Sequence, residues 1–194
     1  MSAPSGGTVV VKVGGGLLAI PGALERVAGA LAAAAERRRL VIVPGGGPFA
    51  DAVRRFDATH GLSPMAAHWM AILAQDQYAH ALAERVPGAT LVSDPATISA
   101  AHAAGRVPVL TPSRWMLAAD VLPHGWDATS DSVAAFVAGA LDAEVLVLVK
   151  PVGGLAGELT DAWFDAALPA GLSVLVLGVE ELDRLGELLK PARN

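Results

Sequence analysis

Six short, near-continuous runs of valine, isoleucine and leucine limit what this chain can fold into more than any other feature of its sequence. They fall at residues 8–13, 40–43, 90–92, 107–110, 144–149 and 173–177. Successive side chains of a strand point to opposite faces, so a run that is apolar almost throughout must be covered on both. That is the condition of strands in a parallel sheet. Between the runs lie longer alanine- and leucine-rich segments at 21–38, 48–59, 64–86, 95–104, 130–141 and 179–190, which the spacing predicts as helices. Two of these open on recognisable signals, Ser63 before Pro64 and Asp94 before Pro95, each a capping residue followed by proline at the first helical position. Strand followed by helix, repeated, predicts an α/β fold with a mainly parallel sheet and right-handed crossovers. There is no internal repeat, low-complexity linker or composition break, so residues 1–194 are expected to form one domain.

In open parallel sheets ligands bind beyond the carboxyl ends of the strands, so the strand-to-helix loops are where chemistry is to be sought. The first carries Gly14, Gly15 and Gly16, and the second Gly45, Gly46 and Gly47. Glycines allow backbone amides to approach a phosphate, and a following helix adds its positive end. Neither loop is a P-loop, since no Gly-Lys-Ser/Thr follows at the required spacing, and neither reads Gly-x-Gly-x-x-Gly. If the two strands are neighbours, the loops form one anion cradle. A third stretch, Trp126 to Ala134, places Asp131 in the first turn of a helix capped by Thr129 or Ser130. A fourth, Lys150 followed by Gly153 and Gly154, comes directly after the strongest apolar run.

The choice of cation sharpens these positions. Of 14 basic residues only Lys12, Lys150 and Lys190 are lysines, and two of the three stand where an apolar run meets glycines. A compact ammonium suits a phosphate at close range better than the broad guanidinium fork. The rest of the composition is chiefly exclusive. Cysteine is absent, which rules out disulfides, thiol catalysis and cysteine-held metals. No apolar run approaches bilayer length, and the first seven residues lack the basic start of a signal peptide, so a cytoplasmic protein is expected. A net charge of -5, with a single dense basic run at Arg37–Arg39, argues against nucleic-acid binding.

Taken in order, the early Lys-x-Gly-Gly, the Gly-Gly-Gly after the second strand, the Thr-Ser-Asp-Ser-x-Ala-Ala helix start and the closing strand with its glycine loop resemble the amino-acid kinase family. The resemblance implies a three-layer sandwich around a mainly parallel sheet, and an enzyme that moves a phosphoryl group from ATP, with Mg²⁺, to a small polar metabolite. It implies Lys12 and Asp131 as catalytic residues, with the glycine amides holding phosphate and acceptor. Lys150 is a candidate second catalytic lysine by location alone. Gly14, Gly15, Gly16, Lys150, Gly153 and Gly154 form the expected nucleotide side, and Gly45, Gly46 and Gly47 the acceptor side. No metal-ligand motif is present. The stretch after Gly154 is shorter than the family's usual nucleotide-binding part, so the adenine site is expected to be abbreviated.

The segment 67–78 is similar to the corresponding helix of the kinases that act on [5-(aminomethyl)furan-3-yl]methyl phosphate in methanofuran biosynthesis, which implies a phosphate monoester as acceptor. At 100° per residue His68 and Gln75 project within about 20° of one another, with Ile72 between them, a stripe suited to a substrate, while Met65, Trp69 and Leu73 are expected to pack inward. Arg54 is expected to pair with the acceptor's phosphate and Asp76 with its ammonium. The other readings are a different carboxylate or monophosphate kinase of the same fold, or a protein that binds a nucleotide or oxyanion without turnover. The apolar helix at 64–78 suits a homo-oligomer interface.

Overall fold

In a computed structural model that describes residues Gly6–Leu188, the six apolar runs form one all-parallel sheet. The strands are β1 (Thr8–Val13), β2 (Arg39–Pro44), β3 (Ala89–Val92), β4 (Val107–Leu110), β5 (Val145–Lys150) and β6 (Ser173–Gly178). Their order across the sheet is β3-β4-β2-β1-β5-β6, and all six fall within a residue or two of the apolar runs. The helices are α1 (Ala23–Ala35), α2 (Gly47–His60), α3 (Pro64–Arg85), α4 (Pro95–Ala103), α5 (Ser113–Ala119), α6 (Ser130–Ala140), α7 (Ala156–Leu159), α8 (Phe164–Ala167) and α9 (Leu185–Leu188).

Alternation along each strand divides the core in two. Val9, Val11 and Val13 of β1 join Ile42, Val147 and Val149 under α1 and the second half of α3, with Tyr78 and Leu82. Val10 joins Val41, Val43, Leu146 and Leu148 on the opposite face, under Val133, Ala134 and Val137 of α6. The result is the expected three-layer sandwich, and small alanines on α6 let it lie close to the sheet.

The helix starts follow their caps. Ser63 accepts from the Ala66 amide at 3.2 Å, and Asp94 accepts from the Thr97 amide at 2.8 Å in a reciprocal capping box. The segment 21–38 is helical only from Ala23, because Gly22 is left-handed at φ 73°. The segment 179–190 is not one helix. Glu181 turns back to accept from the Gly178 amide at 3.0 Å, the chain runs as a 3-10 turn over Val179–Arg184, and α9 follows; Lys190 lies outside the described residues. α5, α7 and α8 are short and carry no periodic signal in the sequence. Among the described residues no helix is long and apolar enough to cross a membrane.

The strand order fixes where a ligand can go. The chain passes from β1 outward to β2 and its neighbours, then returns past β1 to β5, so the order reverses between β1 and β5. Connections leave that point in opposite directions and open a crevice at the carboxyl ends.

Candidate active site

Lys12 sits one residue before the end of β1, flanked in register by Val43 and Leu148, and its side chain is only 5% exposed. A buried ammonium must be paired. The partner is Asp131, whose Oδ1 lies 2.9 Å from Lys12 Nζ, while Lys150 Nζ at the end of β5 donates to its Oδ2, also at 2.9 Å. The crevice therefore holds one carboxylate clamped between two lysines. Burial alone would raise the Asp131 carboxyl, but the two ammonium groups outweigh it and hold the group below the usual carboxylate range. Burial pulls the Lys12 ammonium below its ordinary value, and the like charge of Lys150 adds to that, with Asp131 opposing. The net +1 of this trio is a standing attraction for an anion.

Lys150 is held further by the carbonyl of Leu159, which accepts from its Nζ. Asp131 is held through its helix. Thr129 occupies the N-cap of α6 but its side chain does not cap; Asp161, from the loop between α7 and α8, does so instead. Asp161 Oδ2 accepts from Thr129 N at 2.9 Å, Thr129 Oγ1 at 2.8 Å and Ser132 N at 3.1 Å, and its Oδ1 accepts from Ser132 Oγ. Sequence reading overlooked Asp161 because it lies some thirty residues from the helix it caps.

The two glycine triplets interlock at the carboxyl ends of the paired strands β1 and β2, as the cradle requires. Gly14 N donates to Val149 O and Gly45 N to Val13 O, each at 2.8 Å. A Cβ on Gly45 would lie 2.6 Å from Gly15 N, and one on Gly15 would overlap the backbone of Gly47. Backbone touches backbone here, which only glycine permits. Gly153 and Gly154 lie apart from this cradle, in the loop after β5. There Gly153 packs on Gly178 and Glu181, and Gly154 on Leu159.

Beside the cradle opens a cavity of about 200 Å³, below the roughly 300 Å³ at which drug-sized pockets begin. Gly15, Gly16, Gly46 and Gly47 form its rim, and His68, Ile72 and Gln75 its helical wall. The stripe expected on α3 therefore does face a cavity, its members His68, Ile72 and Gln75 following one another at four and then three residues along one helix. Arg54 also lines it, 3.4 Å from Asp51, with its guanidinium 4.5 Å from the centre of the Trp126 ring. Trp126 is fixed in turn, its indole nitrogen donating to Asp57 at 2.8 Å. Trp126 fell within a stretch singled out in the sequence, but nothing local marked it as a partner of Arg54.

Two expectations are corrected. Asp76 does not line the cavity: it accepts from the Ser113 amide at 3.1 Å and from Ser113 Oγ, tying α3 to the start of α5. Met65 and Leu73 do not pack inward but are 57% and 51% exposed: Met65 stands in the first turn of α3, and Leu73 projects about 100° or more away from Ile72, His68 and Gln75. Trp69 is half-buried, edge-on to His68 at 5.0 Å and 5.5 Å from His124.

His68 has its own environment. Burial pushes its imidazole below the ordinary value of 6.5, and His124, with ring centres 5.0 Å apart, adds to this; the Gly125 backbone and Asp120 oppose it. His124 is bonded to Asp120 at 2.8 Å. A base depressed in the folded state takes up a proton more readily when unfolded. Its contribution to stability is thus present above the ordinary value and lost as pH falls below it. Between pH 7.5 and pH 5.5 the melting temperature is expected to fall less in His68→Gln than in the unaltered protein; equal falls by calorimetry would remove His68 as the cause.

No group of three or more His, Asp or Glu among the described residues could hold a metal.

Known proteins match this arrangement at several levels. The uridylate kinase of Archaeoglobus fulgidus superposes with a TM-score of 0.67 over 94% of this chain and 96% of its own, at 16% identity. The UMP kinase of Ureaplasma parvum does so with a TM-score of 0.66, covering 91% of each chain at 15% identity. Both show the shared fold. In sequence, 120 residues are 28% identical to the [5-(aminomethyl)furan-3-yl]methyl phosphate kinase of Methanocaldococcus jannaschii, 61% of this chain and 54% of that enzyme. The chain thus matches about half the length of that relative. Residues 7–158, which contain both glycine triplets, the cavity wall and the lysine–aspartate–lysine trio, match the family model directly, and the chain belongs to the amino acid kinase family.

Proposed function

We propose that this protein is an ATP-dependent kinase whose acceptor is a small phosphate monoester, [5-(aminomethyl)furan-3-yl]methyl phosphate or a close analogue, which it converts to the diphosphate. The observation that carries the reading is the buried Lys12–Asp131–Lys150 trio at the carboxyl ends of β1 and β5, the end of the sheet where the glycine loops after β1 and β2 line a small cavity together with Arg54. A phosphate monoester oxygen is already an anion at neutral pH. It can attack the γ-phosphorus of ATP, forming one P–O bond as the bond to the β,γ-bridging oxygen breaks and ADP leaves. No base is required, and phosphoryl transfer depends chiefly on positioning and charge stabilisation.

Each residue then has a task. The amides of Gly14, Gly15, Gly45 and Gly46 hold phosphate oxygens, Lys12 and Lys150 offset charge on the transferring group, and Asp131 keeps both ammonium groups aimed. Arg54 binds the acceptor's phosphate as a guanidinium fork. On the nucleotide side, exposed Val152, Leu155 and Trp163 flank the loop after Lys150 and offer apolar area to a base. Mg²⁺ fits as a companion of the nucleotide, neutralising its phosphates, since both oxygens of Asp131 are already engaged by lysines. The same reading sets the enzyme in the cytoplasm as a homo-oligomer, with exposed Phe56, Met65 and Leu73 on α2 and α3 as candidate contact area.

Mg-ATP at about one hundred times its Kd is expected to raise the melting temperature by about 5–10 °C, through roughly 2.7 kcal/mol of linkage. ADP release in the presence of the furan phosphate, measured by a coupled assay, tests turnover. An unchanged melting temperature at millimolar Mg-ATP would count against every kinase version of this reading.

A further inference from the structure

Most polar groups around the cavity already have partners within the protein. Thr129 is bonded to Asp161, Trp126 to Asp57, and Arg54 is paired with Asp51. Gln75 differs. It is 2% exposed, it lines the cavity, and its side-chain oxygen is buried without a hydrogen-bond partner among the described residues. Leaving such a group unmade costs about 1–3 kcal/mol, and a core position of this kind is more cheaply filled by leucine or methionine. A carboxamide turns half-way round without changing shape, so its oxygen can be presented to whatever enters.

A second buried acceptor stands on the same wall. His68, also 2% exposed, is seven residues before Gln75 and lines the same cavity. Burial favours its neutral form, and with the Gly125 backbone meeting one ring nitrogen, a neutral imidazole keeps the other as an acceptor. Ile72 and Ala71 between them are apolar. This wall therefore has hydrogen-bond acceptors and no fixed cation, whereas the cradle side, with Lys12 and the glycine amides, is built for anions.

We infer that Gln75 is a specificity-determining residue of the acceptor site: its amide oxygen accepts a hydrogen bond from a donor arm, an ammonium or hydroxyl, at the end of the acceptor remote from its phosphate. The inference rests on the acceptor assignment above and deepens it. It also moves the reading of the donor arm from Asp76, which is occupied by Ser113, to the adjacent residue on the inward face of α3. A site that leaves a buried acceptor unpaired rejects an analogue lacking the donor far more strongly than a missing methylene would predict.

The test is binding by titration calorimetry, independent of turnover, with the furan phosphate in three forms bearing aminomethyl, hydroxymethyl or methyl at the same ring position. The unaltered protein is expected to bind at least one donor form about 30–100-fold more tightly than the methyl form. In Gln75→Met that preference should collapse to within about three-fold, with Kd for the methyl form unchanged or improved. Gln75→Glu, which keeps two acceptor oxygens, should retain it, and strengthen it for the aminomethyl form if that form is the preferred one. Circular dichroism and the melting temperature verify that both variants fold. Equal binding of all three forms, no binding of any, or a donor preference that survives in Gln75→Met would each overturn the role of Gln75. The kinase reading is judged apart from this, by the Mg-ATP shift and by ADP release, so Gln75 can fail while the kinase stands.

Discussion

Replacing Lys12 with methionine is expected to lower kcat by about 10²–10³-fold, the range for losing one preorganised electrostatic contact to a developing charge. Methionine keeps the packing of the four-carbon stem between Val43 and Leu148 and leaves Asp131 still paired with Lys150, so the melting temperature should change little. Asp131→Asn makes the complementary cut. It preserves shape, yet leaves two buried ammonium groups facing one neutral amide. Removing one partner of a buried ion pair costs about 3–5 kcal/mol, so here the melting temperature should fall clearly. The rate should fall as well, because both lysines lose the charge that aims them. A double-mutant cycle on kcat decides whether they form one unit: the double variant should be scarcely slower than the worse single one. Fully additive losses would mean independent roles. Near-normal activity of Asp131→Asn would reduce Asp131 to a residue serving the helix dipole.

The parts of this site that were legible in the sequence share a property: each is written in a short stretch of chain. Strand runs, glycine triplets and the Ser63 and Asp94 caps are local, and they fell where expected. The rarity of lysine picked out Lys12 and Lys150 before any geometry was available, and the structure brings both within 2.9 Å of Asp131. Helical spacing aligned His68, Ile72 and Gln75, and all three line the cavity.

What stayed hidden depends on contacts between distant segments. Asp161 caps α6 from some thirty residues away, and His124 reaches His68 across a loop. The orientation of α3 was half-read. Its periodicity grouped the right residues, but it carries apolar side chains on several faces, so periodicity alone could not say which face turned outward. Asp76 shows the same limit, for a carboxylate next to a substrate stripe reads as a substrate contact until Ser113 of α5 is seen to occupy it.

The glycine cradle permits a comparison within one protein. Gly15→Ala should abolish measurable activity and destabilise the fold by about 1–3 kcal/mol or more, the cost of forcing an extra carbon into a packed site. The new Cβ would overlap Gly47 N and Cα, and backbone cannot rotate aside as a flexible side chain can. The two loops would have to separate, and with them the amides proposed to hold phosphate. Gly29 is the control. It lies inside α1 with nothing within 4 Å of the position a Cβ would take, and it has no positive φ. Gly29→Ala should therefore stabilise the protein by roughly 0.5–1 kcal/mol, through helix propensity and a less flexible unfolded chain, with activity unchanged. Chemical denaturation of the two variants, with Mg-ATP shifts on each, measures both effects. An active Gly15→Ala protein with an undiminished Mg-ATP shift would show that the close approach of the loops is not what holds the nucleotide.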